Sequence, residues 1–290
     1  SRRSSRATAI PLEPTDRDQL LQLSWAQQRL WFLDQLEPGN AAYNISWTVR
    51  LRGELQVDAL RGAFDDLVMR HEALRTVFPA SDEIPCRLIR PRSEVELVTH
   101  ELRGISDEQL RSRLADLAGC AFDLAKGPLL RPFLLQLSET EHVLLVVVHH
   151  IVADGASMRI LFRELASLYE ERRGQGGMVL PDLPVQYVDY AMWQRRWLNS
   201  DELDAQSQYW LQQLKGLPPL LELPTDRPRA AAMRYRGASV LRVLPAGLAT
   251  DLRRVSREHG STLFMTLLAA FYVLLIRYSG REHLVVGTPL

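Results

Sequence analysis

Six consecutive apolar residues, Val143-Leu144-Leu145-Val146-Val147-Val148, end on two adjacent histidines, His149 and His150. A run that hydrophobic reads as a buried strand, so whatever the chain folds into must cover it. Ionisable groups where such a strand emerges are costly to bury and call for a reason. Histidine is also the side chain best suited to move protons near neutral pH. Ile151-Val152-Ala153-Asp154-Gly155 follow directly, adding a carboxylate and a glycine at short range.

The chain has 290 residues, room for two ordinary domains or two lobes, and its 46% hydrophobic content supports a sizeable core. Thirty-five Lys and Arg balance 35 Asp and Glu. A formal net charge of zero gives no support to nucleic-acid or membrane-surface binding as the main task. Cys86 and Cys120 form no Cys-x-x-Cys pair, so neither a disulfide framework nor a zinc knuckle is expected, and a reducing, cytoplasmic setting fits best. The first six residues are basic and polar, without the apolar core of a signal peptide. The most apolar segment, Leu263 to Ile276, is short for a membrane span and ends at Arg277, so it reads as a buried core helix.

Residues 1–20 have no sustained periodicity and carry Pro11 and Pro14, which suggests a linker. A helix is expected from Ser24, a suitable cap, to Leu36, before Pro38-Gly39. Further helices are expected over residues 57–70, 106–118, 155–173, 187–198, 201–214, 247–259 and 261–278. Strands are expected over 44–51, 74–78, 87–89, 95–99, 129–136, 142–148, 239–244 and 283–286. The polar stretch 137–141 suits a hairpin between two of them. Residues 21–177 then form one lobe. Residues 178–290, opened by an extended Pro181/Pro184 link, hold part of a second. The mixed order of elements points to α+β.

Neighbouring side chains on a strand point to opposite faces, so His149 and His150 cannot easily serve one site. That also makes them a poor chelate pair, and no metal is expected. His150 is the candidate for a cleft and His149 for the scaffold. Asp154 has two options, orienting a histidine or pairing with an arginine. Gly155 permits close backbone approach and opens a helix whose N-terminus favours negative charge. A lone histidine at a strand end is usually a satisfied structural group. The combined His-His-x-x-x-Asp-Gly pattern argues against that.

The pattern resembles the active-site signature of condensation domains of nonribosomal peptide synthetases. Ser24-Trp25-Ala26-Gln27-Gln28-Arg29-Leu30-Trp31-Phe32-Leu33-Asp34-Gln35-Leu36-Glu37-Pro38 resembles the family's first motif. Arg70-His71-Glu72-Ala73-Leu74-Arg75-Thr76-Val77-Phe78 resembles the second, Tyr187 to Arg195 the fourth, and Val286-Gly287-Thr288-Pro289 the opening of the fifth. The resemblance implies a two-lobed, V-shaped fold similar to chloramphenicol acetyltransferase, with a central tunnel. It implies amide formation between a carrier-bound acceptor amine and a donor thioester. Both substrates ride on phosphopantetheine arms of upstream and downstream peptidyl carrier domains, beside an adenylation domain, with no dissociable cofactor. Among site residues it implies His150, Asp154 and Gly155 as catalytic, with His149, Ala156 and Ser157 supporting. Asp154 is then chiefly structural, through an arginine pair, and Ser157, just after the signature, reads as a structural group sooner than as a hydrogen-bond partner of an intermediate. Arg29, Arg70, Arg75, Tyr187 and Asp189 are implied structural members. Arg70 and Arg75 are expected in internal ion pairs, and Trp31, Phe32 and Leu36 in the core.

Two departures stand out. Ala156 replaces the tryptophan that many members carry there, which suggests a wider acceptor side or a modified reaction. Such domains also run to on the order of 450 residues, more than one ordinary domain. The chain therefore reads as cut off after Leu290, without the remaining strands of the second lobe and the arginine partner of Asp154. The first motif is most similar to members joining two L-residues. Epimerisation domains share the double histidine but open differently. The aspartate-rich signature of heterocyclisation is absent. A non-catalytic, condensation-like platform that recruits a partner enzyme is the remaining alternative, and the retained histidines argue against it.

Overall fold

The computed structural model describes residues 10–81, 84–92, 95–198, 201–218, 220–227 and 240–288. The chain divides into two compact units, Ser1–Leu203 and Asp204–Leu290.

The first unit opens with α1 (Trp25–Leu36), whose N-terminus is closed by a reciprocal box. The Gln27 N–H donates to Ser24 Oγ, and the Ser24 N–H donates to Gln27 Oε1, both at 3.2 Å. Then come β1 (Asn44–Arg52) and α2 (Val57–Arg70), followed by a 3₁₀ turn at Glu72–Arg75 and four two-residue strands. These are β2 (Thr76–Val77), β3 (Ala80–Ser81), β4 (Ile84–Pro85) and β5 (Leu88–Ile89). The unit continues through β6 (Val98–Glu101), α3 (Asp107–Ala118), β7 (Leu130–Gln136), β8 (Glu141–His149), α4 (Gly155–Arg172) and α5 (Tyr187–Leu198).

The main sheet has the order β1-β8-β7-β6. Strand β8 lies inside it, antiparallel to β1 and to β7, with Asn44 opposite His149 and Leu130 opposite Val148. Strand β6 joins β7 in parallel. Alternation along β8 splits the apolar run between two cores. Leu144, Val146 and Val148 pack with Phe64, Leu67, Met158 and Leu161 from α2 and α4. Val143, Leu145 and Val147 pack with Leu30, Trp31, Leu110 and Leu117 from α1 and α3. Both faces are covered, so the strand carries no polar alternation. Each such side chain contributes about 1.5–3 kcal/mol by leaving water.

The second unit holds most of α6 (Asp201–Gln213), with α7 (Ala246–Glu258) and α8 (Leu263–Ser279). Here several expectations fail. The apolar segment is the helix α8, but it is not a core helix: Leu275 alone is buried, while Phe264, Met265, Leu267, Phe271, Val273 and Leu274 are exposed. No sheet exists among the described residues of this unit to cover it. Residues 240–244 and 283–286 are not strands, because neither finds a hydrogen-bonded neighbour among the described residues; Ser239 lies outside them. In the first unit, Leu74 and Arg75 end a 3₁₀ turn rather than start a strand. Phe32 and Leu36 are 56% and 61% exposed, and only Trp31 of that trio turns inward, donating its indole N–H to the Phe78 carbonyl. Among the described residues no single helix is long and apolar enough to cross a membrane.

Phe64 is fully buried between α2 and the sheet. Phe64→Ala is expected to destabilise the first unit by about 3–5 kcal/mol, read as a lowered urea midpoint with unchanged slope.

Candidate active site

The signature residues occupy the end of β8, a tight turn and the first turn of α4. His149 is the last residue of β8 and is 3% exposed. Its N–H donates to the Leu129 carbonyl at 3.0 Å, its ring meets Phe122 edge-on at 6.1 Å, and its Nδ1 accepts the Ile151 N–H at 3.2 Å. Burial, with a smaller contribution from His150, pulls its pKa from 6.5 down to about 4. His149 is therefore a neutral group of the scaffold.

His150 lies beyond the strand in the turn and is exposed. Its N–H donates to the Tyr43 carbonyl at 2.9 Å, which fastens the turn to the segment before β1. The side chain lines a cavity of about 230 Å³ together with Gln27, Arg29, Tyr43, Asp154 and Tyr187. A second space of about 180 Å³, walled by Ala73, Leu74, Ile160 and Leu161, shares Val152, Ala153, Ser157 and Tyr187 with it. A larger cavity of about 740 Å³ lies beside Arg70 and Asp182 and touches none of the signature residues. Size is thus a poorer guide here than the chemistry of the walls.

Asp154 caps α4. Its Oδ1 accepts the Ser157 N–H at 2.7 Å and the Ser157 hydroxyl at 2.6 Å, while the Asp154 N–H donates back to Ser157 Oγ at 3.2 Å. These bonds hold the carboxyl below its usual range. Ser157 is thereby engaged, its hydroxyl donating a hydrogen bond to Asp154. The helix N-terminus already faces a carboxylate. No arginine or lysine lies within ion-pair distance of Asp154 among the described residues. Gly155 opens α4, and a β-carbon added there meets nothing within 4 Å; Ala156 beside it is exposed.

The remaining motif residues build the frame around this turn. Arg70 Nε bonds Glu164 Oε2 at 3.1 Å, and His71 Nε2 reaches the same oxygen at 2.6 Å. Arg75 lies 3.7 Å from Glu72 and donates to the Arg90 carbonyl at 2.6 Å. Asp189 is buried and accepts from the Thr15 N–H at 2.8 Å, the Gln186 N–H at 2.6 Å and Arg17 at 2.5 Å. Burial alone would raise its pKa, but those donors hold it below the usual carboxylate value. Arg17 also meets Glu72 at 3.0 Å, tying the second and fourth motifs together. Tyr187 bonds Ser24 Oγ at 3.0 Å, and burial raises the pKa of its phenol. Arg29 is exposed on the cavity wall, outside that frame.

Sequence reasoning missed Gln27, Tyr43 and Arg17 as parts of this assembly. Only Gln27 had a legible signal, its place three residues after the cap Ser24.

Comparison with known proteins identifies the family and the fold. The condensation-domain family matches residues 17–290. The chain is 47% identical over 284 residues to a linear gramicidin synthase of Brevibacillus parabrevis, covering 97% of this chain and 6% of that protein. It is 42% identical over 288 residues to phosphinothricin tripeptide synthetase PhsC of Streptomyces viridochromogenes, covering 97% of this chain and 26% of that one. Among solved structures, the X-domain from teicoplanin biosynthesis in complex with OxyB is 34% identical with a TM-score of 0.83 over 94% of this chain and 61% of its own. The fold is therefore that of the chloramphenicol acetyltransferase-like condensation domains. The chain belongs to the condensation-domain family of nonribosomal peptide synthetases.

Two outcomes test the site. The unfolded chain binds a proton at position 149 near pH 6.5, while the folded chain resists until about pH 4. Stability is thus full above pH 6.5 and falls as the pH drops toward 4, by up to about 3 kcal/mol. His149→Asn, which keeps an acceptor for the Ile151 N–H, is expected to flatten that dependence in urea titrations at stepped pH. Asp154→Ala is expected to cost about 1 kcal/mol in the same titrations, and Asp154→Asn, which still caps, only a few tenths.

Proposed function

We propose that this chain catalyses amide formation between two carrier-bound substrates. The observation that carries the reading is His150 standing exposed on a cavity wall while His149, one residue earlier, is buried and neutral. The acceptor amine attacks the donor thioester carbonyl; a C–N bond forms, the C–S bond breaks, and the amine proton ends on the departing thiolate. His150 meets the amine and the charged tetrahedral intermediate. Asp154, Gly155, His149 and Ser157 hold the turn that presents it. Tethering two reactants in one cavity supplies much of the rate by itself.

In this reading phosphopantetheine arms deliver both substrates from upstream and downstream peptidyl carrier domains, next to an adenylation domain. Relatives named as peptide synthases and synthetases support that setting. The unpaired thiols Cys86 and Cys120 favour a cytoplasmic, reducing one. Residues 21–177 act as the first lobe, preceded by a linker, and 178–290 as the link and part of the second. The exposed Ala156 leaves the acceptor side open.

One observation favours a second reading, a platform that recruits a partner enzyme: the 34% identity to an X-domain solved in complex with OxyB. The higher identity to named synthases weighs against it. His150→Ala, made in the complete polypeptide that naturally contains this chain and assayed by mass spectrometry with loaded carriers, is expected to lower product formation at least about 100-fold. Undiminished product would sink the catalytic role.

A further inference from the structure

We propose that Arg87 is a positioning residue for the double-histidine turn, acting through Gln27; this deepens the function proposed above and rests on it. Arg87 is 8% exposed, yet no carboxylate pairs with it among the described residues. Its Nε and Nη1 have no hydrogen-bond partner, and its Nη2 donates to Gln27 Oε1. Burial lowers its pKa to about 10, so it stays charged at neutral pH. A buried guanidinium without a carboxylate is costly, and such a group calls for a reason.

The reason lies in what a guanidinium can and cannot do. It is a donor only, so the Gln27 oxygen must face it. The same oxygen accepts the Ser24 N–H at 3.2 Å. With the oxygen so committed, the amide nitrogen is aimed the other way, and it donates to the Ile151 carbonyl at 2.9 Å. Ile151 follows His150 directly. An inverted amide would set NH₂ against the guanidinium and oxygen against the Ile151 carbonyl. Arg87 thus selects one of two amide orientations, and that orientation anchors the turn from inside while Tyr43 anchors it at the His150 N–H. The turn is tied at two consecutive residues to elements that precede β8.

The test uses Arg87→Met and Gln27→Glu in the complete polypeptide. Methionine removes the donor without leaving a charge, and replacing a buried charge by an apolar side chain is neutral or stabilising. Glutamate keeps an acceptor for Arg87 but turns an oxygen on the Ile151 carbonyl. Three quantities are read: condensation kinetics, Tm, and amide hydrogen exchange of the peptide covering residues 149–155. Both variants are expected to lower kcat about tenfold or more, change KM less than about twofold and speed exchange in that peptide, with Tm kept in Arg87→Met and lowered by a few degrees in Gln27→Glu, where an oxygen faces a buried carbonyl. Either variant with unchanged kcat and exchange, or with activity and Tm falling together and exchange rising across the whole sheet, overturns the proposal. If the unmodified polypeptide makes no amide, the functional reading falls and the exchange result alone decides the role of Arg87.

Discussion

Strand β8 has no face left for water. Leu144, Val146 and Val148 belong to one core, and Val143, Leu145 and Val147 to the other. Its register with β1 and β7 is locked on both sides, because a slip of one residue would exchange the two cores. The position of the site follows from this. His149 continues the alternation and must enter the core that holds Phe122. The next residue is the first the chain can release, and it is His150. The histidines differ in environment by a single step along the backbone, which is enough to keep one neutral and buried and to leave the other on a cavity wall.

A second layer of polar groups holds the surroundings in place. Glu164, buried in α4, takes both Arg70 and His71 from the end of α2. Asp189 of α5 takes Arg17 and two backbone N–H groups. Breaking such a buried pair from one side leaves an uncompensated charge, so these contacts act more as registry devices than as net stabilisers. Arg17 carries the registry furthest. It joins the irregular residues before α1 to Glu72 and Asp189 at once, bridging two motifs that lie over a hundred residues apart in sequence.

How much of this was legible follows the range of the interactions. The strand β8, the cap Ser24, and helices α1 to α5 are local patterns, and the sequence shows them within a residue or two. The split between His149 and His150 follows from strand alternation alone. The partner of Asp154 within the first turn of α4 was equally local, yet the Asp-x-x-Ser box went unread because the family pattern points to arginine. The 3₁₀ turn at Glu72–Arg75 was hidden by the β-like composition of Leu74 to Phe78. Apolarity also misled at α8, where a run of hydrophobic residues says that a partner surface is needed but not that this stretch of chain provides it. Arg17 and Arg87 were invisible for the opposite reason. Arg17 sits in a segment without periodicity and Arg87 at the start of an expected short strand, and the meaning of each depends on which distant oxygen it meets.

The polar groups around the turn share one property: their orientations are settled without a substrate. Asp154 has spent its carboxylate on the first turn of α4, and the Ser157 hydroxyl donates its hydrogen bond to Asp154. Gln27 faces one way because two donors share its oxygen. The His149 Nδ1 is taken by the Ile151 N–H. A site that must choose among dipole orientations during reaction loses rate to reorganisation, and one whose dipoles are fixed by folding does not. By this argument the groups that look least available for chemistry are those that make His150 useful. Their hydrogen bonds are made within the protein, so in the function proposed above the imidazole left exposed in the turn is the one that meets the amine.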